Sequence, residues 1–409
     1  MTRILKSLLV ATLAIGVLWG NNDSSKADKK ESAGYSVYME GLKLGTKKKF
    51  EAAKTALEQA LELDPELETA VFAISVADDF LSGTIKKKPA EKLFKAIEKN
   101  EKGDSKKALK EAKNAIKADK KYPKSYYYRG RLYEAQSLYK EALADYLDAT
   151  KADPSFTKAY LRRGDIFAFT NSTQDAIESY GQALESNPDM VEIYARRAEL
   201  YEQNSMYDEA LADYAKVLET QPSAQIYFRR GMILYSQEKY KECIEEFSGA
   251  VELDTSLTLA YFHRGSAYYF IGKHTRAVDD FYNTIEVDST YTDAYYNRAV
   301  AYAEVGLLKE AVQDYDKVIE LDPNYPKAYY NRGRAYHKRR RYSQAISDYD
   351  MMISKDPAYT FSFYYKAIAY DDMGKKKSAI SAYEKYLSVA SPQNEEQIKY
   401  AKSRIRKLK

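Results

Sequence analysis

The pentapeptide AYYNR occupies residues 294–298 and again residues 328–332, and this offset of 34 is the period of most of the chain. Small residues recur at Gly130, Gly164, Ala198, Gly231, Gly265, Ala299, Gly333 and Ala367, every step being 34 residues except one of 33. A fixed period of this length marks a supersecondary unit that is stacked on copies of itself. The length of 409 residues therefore says little about domain number.

Four residues before each small position stands an aromatic: Tyr126, Tyr160, Tyr194, Tyr227, Tyr261, Tyr295, Tyr329 and Phe363. Another usually follows three residues after it, as at Tyr133, Phe167, Tyr201, Tyr268, Tyr302, Tyr336 and Tyr370. Separations of four and three put ring, small residue and ring on one helical face, and the small residue admits a neighbouring helix. This predicts a helix A in each unit. Twelve residues on comes a second small position (Ala142, Ala176, Ala210, Cys243, Ala277, Ala311, Ala345, Ala379), and four later an aromatic such as Tyr146, Tyr180, Phe247 or Tyr315, which predicts a helix B. Several units close on Asp-Pro or Asn-Pro, as at Asp153-Pro154, Asn187-Pro188, Asp322-Pro323 and Asp356-Pro357, where proline stops the helix. One amphipathic pair cannot cover its own apolar face, so the pairs must stack.

This pattern resembles the tetratricopeptide repeat, a two-helix unit of 34 residues, with Tyr in place of the family's first Trp and Arg in place of its Leu. The resemblance implies an all-α fold, an α-solenoid of about ten helix pairs in a right-handed superhelix. Eight units fill residues 123–393, with weaker ones at 34–67 and 89–122. Residues 68–88 begin like a helix A but have no helix B in register, and are read as an inserted helix and loop. Residues 394–409 form a basic capping helix, because a terminal repeat needs a polar outer face.

Residues 1–33 stand apart as an export segment and polar linker. Arg3 and Lys6 precede the apolar run of residues 8–19, which is short for a bilayer span and has the layout of a secretory signal. Cleavage after Ala27 or at Gly20 releases the chain to the periplasm or exterior; without cleavage the run is an anchor, the one membrane contact expected. The single cysteine, Cys243, provides neither a lipid site near the run nor an internal disulfide.

Arg129, Arg197, Arg264, Arg298 and Arg332 each have an Asp sixteen residues later, and Arg230 has Glu246. This spacing suits ion pairs joining helix A to helix B, worth about 0 to 1 kcal/mol each if half-exposed. The histidines, His263, His274 and His337, lie at unrelated repeat positions, and one cysteine cannot complete a zinc set. With no glycine-rich phosphate loop or nucleophile elbow either, no enzyme activity and no cofactor or metal is expected. The 64 basic residues nearly balance 60 acidic ones, which argues against a nucleic-acid partner.

What remains is a protein-interaction scaffold that holds a partner protein or extended peptide. The resemblance implies a concave groove lined by the helix A residues three before, two before and one after the small position. In this chain that assigns Tyr127, Tyr128, Arg131, Phe228, Arg229, Phe262, His263, Tyr296, Asn297, Tyr330, Asn331, Arg334, Tyr364 and Tyr365 to partner binding, and Lys327 is counted with them. Within AYYNR the first Tyr is then core, the second Tyr and the Asn face the groove, and the Arg braces the unit. The family's co-chaperones grip an acidic tail through Lys and Asn, then Asn, then Lys and Arg on three successive A helices. The matching residues here are Phe262 and Ser266, Asn297, and Lys327 and Asn331, of which only Asn297 and Lys327 fit. RNA binding, the third alternative, would need a basic concave face.

Overall fold

The computed structural model describes residues 32–409, so the apolar run of residues 8–19 lies outside the described residues. Among the described residues there are 22 α-helices and no strands. Their contacts divide the chain into two compact units that part in sequence between Leu200 and Tyr201.

The first unit contains α1 (Ala33–Thr46), α2 (Phe50–Leu63), α3 (Glu68–Leu81), α4 (Lys87–Glu101), α5 (Ser105–Ala118), α6 (Pro123–Glu134), α7 (Tyr139–Ala152), α8 (Thr157–Phe169) and α9 (Thr173–Ser186); α10 (Val191–Gln203) runs through the division. Helices pack as the pairs α1/α2, α4/α5, α6/α7 and α8/α9, with α5 against α6 and α7 against α8. Helix α3 has no partner of its own. It packs between α2 and α4, while α1 also reaches α4 directly. Its face of Ala70, Ala73, Val76 and Ala77 is fully buried. Asp79 ties it to the start of α6, accepting from the Tyr122 hydroxyl and the Lys124 ammonium at 2.6 Å each.

The second unit begins with the end of α10 and α11 (Tyr207–Thr220). Five pairs follow: α12 (Ala224–Ser236) with α13 (Tyr240–Leu253), α14 (Thr258–Phe270) with α15 (His274–Val287), α16 (Thr292–Glu304) with α17 (Leu308–Leu321), α18 (Pro326–Lys338) with α19 (Tyr342–Lys355), and α20 (Phe361–Asp372) with α21 (Lys376–Val389). Each B helix packs on the next A helix, and α22 (Glu395–Leu408) closes the series against α21. The cap buries Ala401 and Ile405, and Arg404 holds Asp371 of α20 through two hydrogen bonds of 2.6 and 2.7 Å.

From α6/α7 onward each pair is built around the aromatic of helix B. Tyr146, Tyr180, Phe247, Phe281, Tyr315 and Tyr349 are all at most 1% exposed. The small residue of helix A is what lets that ring in: a Cβ added at Gly164 would lie 2.4 Å from the Tyr180 ring. Aromatic packing of this kind adds roughly 0.5–1.5 kcal/mol per pair beyond area burial.

Two turn devices set the period. Between helices A and B, the seventh residue after the small position adopts a left-handed backbone, at Ser137, Asn171, Ser205, Glu238, Gly272, Gly306, Arg340 and Gly374. The residue after it donates back five positions, as Arg341 does to the Tyr336 carbonyl at 2.8 Å, capping the spent helix. Between helix B and the next helix A, an Asp or Asn side chain accepts from the amide two residues on. Asp153, Asn187, Asp254, Asp288, Asp322 and Asp356 all do so, at 2.9 to 3.2 Å. Asp254 and Asp288 are not followed by proline, so it is the carboxylate turn, more than the proline, that recurs at this reversal.

Candidate partner-binding face

Residues one before the small position point from helix A to helix B. Arg129–Asp145, Arg264–Asp280, Arg298–Asp314 and Arg332–Asp348 are forked pairs, each carboxylate accepting two guanidinium bonds of 2.5 to 2.9 Å. Arg230 reaches Glu246 at 2.8 Å. These pairs are less exposed than the sequence suggests: the Arg298 and Asp314 side chains are only 12% and 10% exposed.

The aromatic four before the small position, expected in the core, lies beside that arginine; Tyr329 is buried as expected, whereas Tyr261 and Tyr295 are half-buried. Guanidinium carbons sit 5.6 Å from the Tyr261 ring centroid (Arg264), 5.5 Å from Tyr295 (Arg298) and 5.6 Å from Tyr329 (Arg332). Tyr295 is half-buried, and its ring shields the ion pair from one side.

The residue three before the small position, expected to face a partner, packs inward against other rings. Tyr127 meets Tyr146 and Phe156, Phe262 meets Phe281 and Tyr291, Tyr296 meets Tyr315 and Tyr325, and Tyr330 meets Tyr349 and Tyr359, with centroids 4.9 to 6.3 Å apart. Phe228 packs on Phe247 in the same way, at 5.8 Å. Tyr127 and Tyr330 are 6% and 8% exposed. In most of these contacts the ring is wedged between its own helix B and the loop that opens the next repeat, so packing between repeats occupies its faces. Tyr364 is likewise covered, by Tyr386 and by Tyr400 of the cap helix.

Two before the small position, the side chains differ from repeat to repeat. Tyr128 is buried because Phe72 of α3 stacks on it, 5.3 Å away at 16°. Arg229 pairs with Glu202 at 3.0 Å. His263 stacks on Phe247 at 6.0 Å, and burial lowers its imidazole to about 4, so the ring is neutral at physiological pH. Asn331 donates to the Tyr296 hydroxyl at 2.8 Å, whereas the half-buried Asn297 has no hydrogen-bond partner among the described residues. Tyr365 stands against Tyr330 and Tyr349. Arg334, one after the small position, is exposed; it lies over Tyr330 and Tyr365 at 5.8 and 5.7 Å and meets no carboxylate within 4 Å among the described residues. Lys327 is exposed on the first turn of α18.

The same face of the first unit is charged. Glu134 accepts from the Tyr146 hydroxyl and the Arg162 guanidinium, each at 2.6 Å. Arg162 also reaches Asp165 at 3.1 Å, and Asp165 accepts from Tyr180 and Arg196 at 2.9 Å. Of these residues Arg162 and Arg196 border a cavity of about 420 Å³, with Phe72, Tyr127, Tyr128 and Arg131 also on its wall. Arg131 has the loosest contacts there: the Tyr127 hydroxyl at 3.4 Å and Glu134 at 4.0 Å. The list drawn from sequence omitted Arg162, Asp165 and Arg196, although they occupy the same register positions around Gly164 and Ala198. Applying the positional rule to every repeat would have found them.

The Cys243 thiol is buried and pushed up to about 12 by desolvation, and it donates to the Tyr240 carbonyl at 3.3 Å. No cluster of potential metal ligands occurs among the described residues. No described helix is long and apolar enough to cross a membrane.

Models of the tetratricopeptide repeat match residues 36–67, 95–156, 161–223, 203–257, 326–359 and 362–392, and a TPR-repeat model matches residues 304–339. No curated protein matches the chain. Among solved structures it is similar to the C-terminal part of a TPR repeat-containing protein from Cytophaga hutchinsonii, with 24% identity over 58% of this chain and 98% of that one and a TM-score of 0.49. It is also similar to YrrB, described as a TPR protein with an unusual peptide-binding site (25% identity, 45% and 95% covered, TM-score 0.41). A third is the MamA protein (25% identity, 42% and 94% covered, TM-score 0.39).

Proposed function

The chain belongs to the tetratricopeptide-repeat family, and on that premise we propose that it is a non-enzymatic scaffold that holds an extended segment of a partner protein along its A helices. One observation carries this reading. On α16 and α18, where neighbouring rings are packed, Asn297 has no hydrogen-bond partner and Arg334 has no carboxylate partner among the described residues. A free amide can bond a peptide backbone in either direction, and a guanidinium backed by two rings is held ready for an acceptor. The acidic-tail alternative gains no support: Phe262 is packed in a ring cluster and the Ser266 hydroxyl donates to the Phe262 carbonyl at 2.9 Å.

The test is affinity capture from the native envelope fraction with the parent and with Asn297→Ala/Arg334→Ala. The expected result is one or more co-purifying proteins lost with the variant while its thermal melt matches the parent; undiminished capture would remove these residues from the binding face.

We also propose export, on the strength of Arg3, Lys6 and the apolar run of residues 8–19. Fractionation with N-terminal sequencing tests it, and a cytoplasmic chain beginning at an intact Met1 would overturn it.

A further inference from the structure

The near-neutral total conceals a strong local imbalance. Between Lys86 and Lys124 the chain has 15 lysines, no arginine and six carboxylates, against a net charge of +4 for the whole chain. Most of those carboxylates are engaged. Glu91 pairs with Lys48 and Lys95, Glu98 with Lys102, Asp104 with Lys107 and Glu111 with Lys92. Asp119 accepts from the Lys121 amide.

On α5, the exposed Lys106, Lys110, Lys113 and Lys117 follow one another at steps of four, three and four, which aligns them on a single face about 16 Å long. None of the four lies within 4 Å of a carboxylate among the described residues. Lys120 and Lys121, both exposed, continue the charge past the helix.

The scaffold does not require this. At the corresponding four positions no other B helix carries more than two basic residues, and α11 has Asp208, Ala212, Ala215 and Glu219. The helix packs through its buried Ala108, Ala112, Ala115 and Ile116, none of which is a lysine.

From these observations we infer that the outer face of α5 is an electrostatic docking surface for an anionic lipid bilayer. The side chains decide the class of partner. Lysine is a hydrated point charge on a flexible stem and lacks the planar fork with which arginine reads a single phosphate or carboxylate. Lysine is also depleted at stereospecific protein interfaces. The stripe has no aromatic residue on which a nucleobase could stack. A row of lysines without geometric selectivity suits a diffuse sheet of negative headgroups, where each lysine adds to adsorption and the attraction fades within a Debye length. The stripe lies in the first of the two units, which in sequence follows the apolar run of residues 8–19 and Lys26, Lys29 and Lys30.

The experiment is co-sedimentation of the full chain with vesicles of phosphatidylcholine alone or with ~30% phosphatidylglycerol, in ~50 and ~200 mM salt. The parent is expected to bind the anionic vesicles more tightly, and salt should reduce that excess. Lys106→Gln/Lys110→Gln/Lys113→Gln/Lys117→Gln should lower anionic-vesicle binding by several hundredfold, up to roughly a thousandfold, while leaving binding to neutral vesicles unchanged. A control with Lys140, Lys151, Lys241 and Lys309 changed to Gln should keep the excess. All eight side chains are exposed, and matching melts verify the fold. Equal anionic binding by the α5 variant, an equal loss in the control, or tighter stripe-dependent binding to a single-stranded oligonucleotide than to the vesicles would each overturn the inference.

Discussion

The Asn331 amide donates to the Tyr296 hydroxyl at 2.8 Å, joining the second tyrosine of one AYYNR to the asparagine of the next. Both residues are therefore part of the contact between repeats, and Tyr296 is further held between the Tyr315 and Tyr325 rings. Tyr296→Ala should lower stability by about 3 kcal/mol or more, as truncation of a large packed ring does. Asn297→Ala, one residue along, should be within about 0.5 kcal/mol of the parent. Chemical denaturation of the two variants measures the difference; equal midpoints would return Tyr296 to the exposed surface.

The forked Arg298–Asp314 pair sets up a second test. Arg298→Ala leaves a mostly buried carboxylate without its partner and should cost about 3 kcal/mol. Replacing both residues, as Arg298→Met/Asp314→Leu, should recover most of that loss. A double-mutant cycle reads the coupling; a value near zero would make the pair an ordinary surface contact.

At Glu238 and Arg340 the A–B turn puts non-glycine residues at φ of 59° and 58°, where Gly272, Gly306 and Gly374 stand in other repeats. A left-handed conformation costs an L-residue roughly 1 kcal/mol. Glu238→Gly and Arg340→Gly should each raise stability, by somewhat less than that because glycine also loosens the unfolded chain. Thermal melts check this, and a lower melting temperature in both would refute the strain assignment.

Burial keeps the His263 imidazole near 4 in the folded chain, below its ordinary value of 6.5. The unfolded chain then binds more protons between these values, so the contribution is full above pH 6.5 and is lost as pH falls toward 4. At about 1.4 kcal/mol per pH unit the loss is on the order of 3 kcal/mol. His263→Phe should flatten the fall in melting temperature between about pH 6.5 and 4.5 relative to the parent. Superimposable pH profiles would show that His263 is not held neutral in the fold.

The repeat period, the two helices per unit, the buried aromatic of helix B and the Arg–Asp braces were legible in the sequence, because each follows from local spacing repeated eight times. Gly164 beneath Tyr180 and Arg298 opposite Asp314 are of this kind: residues 16 apart whose meeting is set by one hairpin. Which tyrosine of AYYNR turns inward was not legible. Consecutive residues on a helix differ by only about 100° in direction, and the deciding contacts of Tyr296, with Tyr325 and Asn331, come from the next repeat. The same holds for Tyr128, which is covered by Phe72 from an inserted helix that has no place in the period. The electrostatics divide in the same way. The lysine count of residues 86–124 is a property of sequence, but the freedom of Lys106, Lys110, Lys113 and Lys117 depends on where the carboxylates fold. Only the tertiary structure turns Glu111 toward Lys92 and leaves the lysine face of α5 without a partner among the described residues.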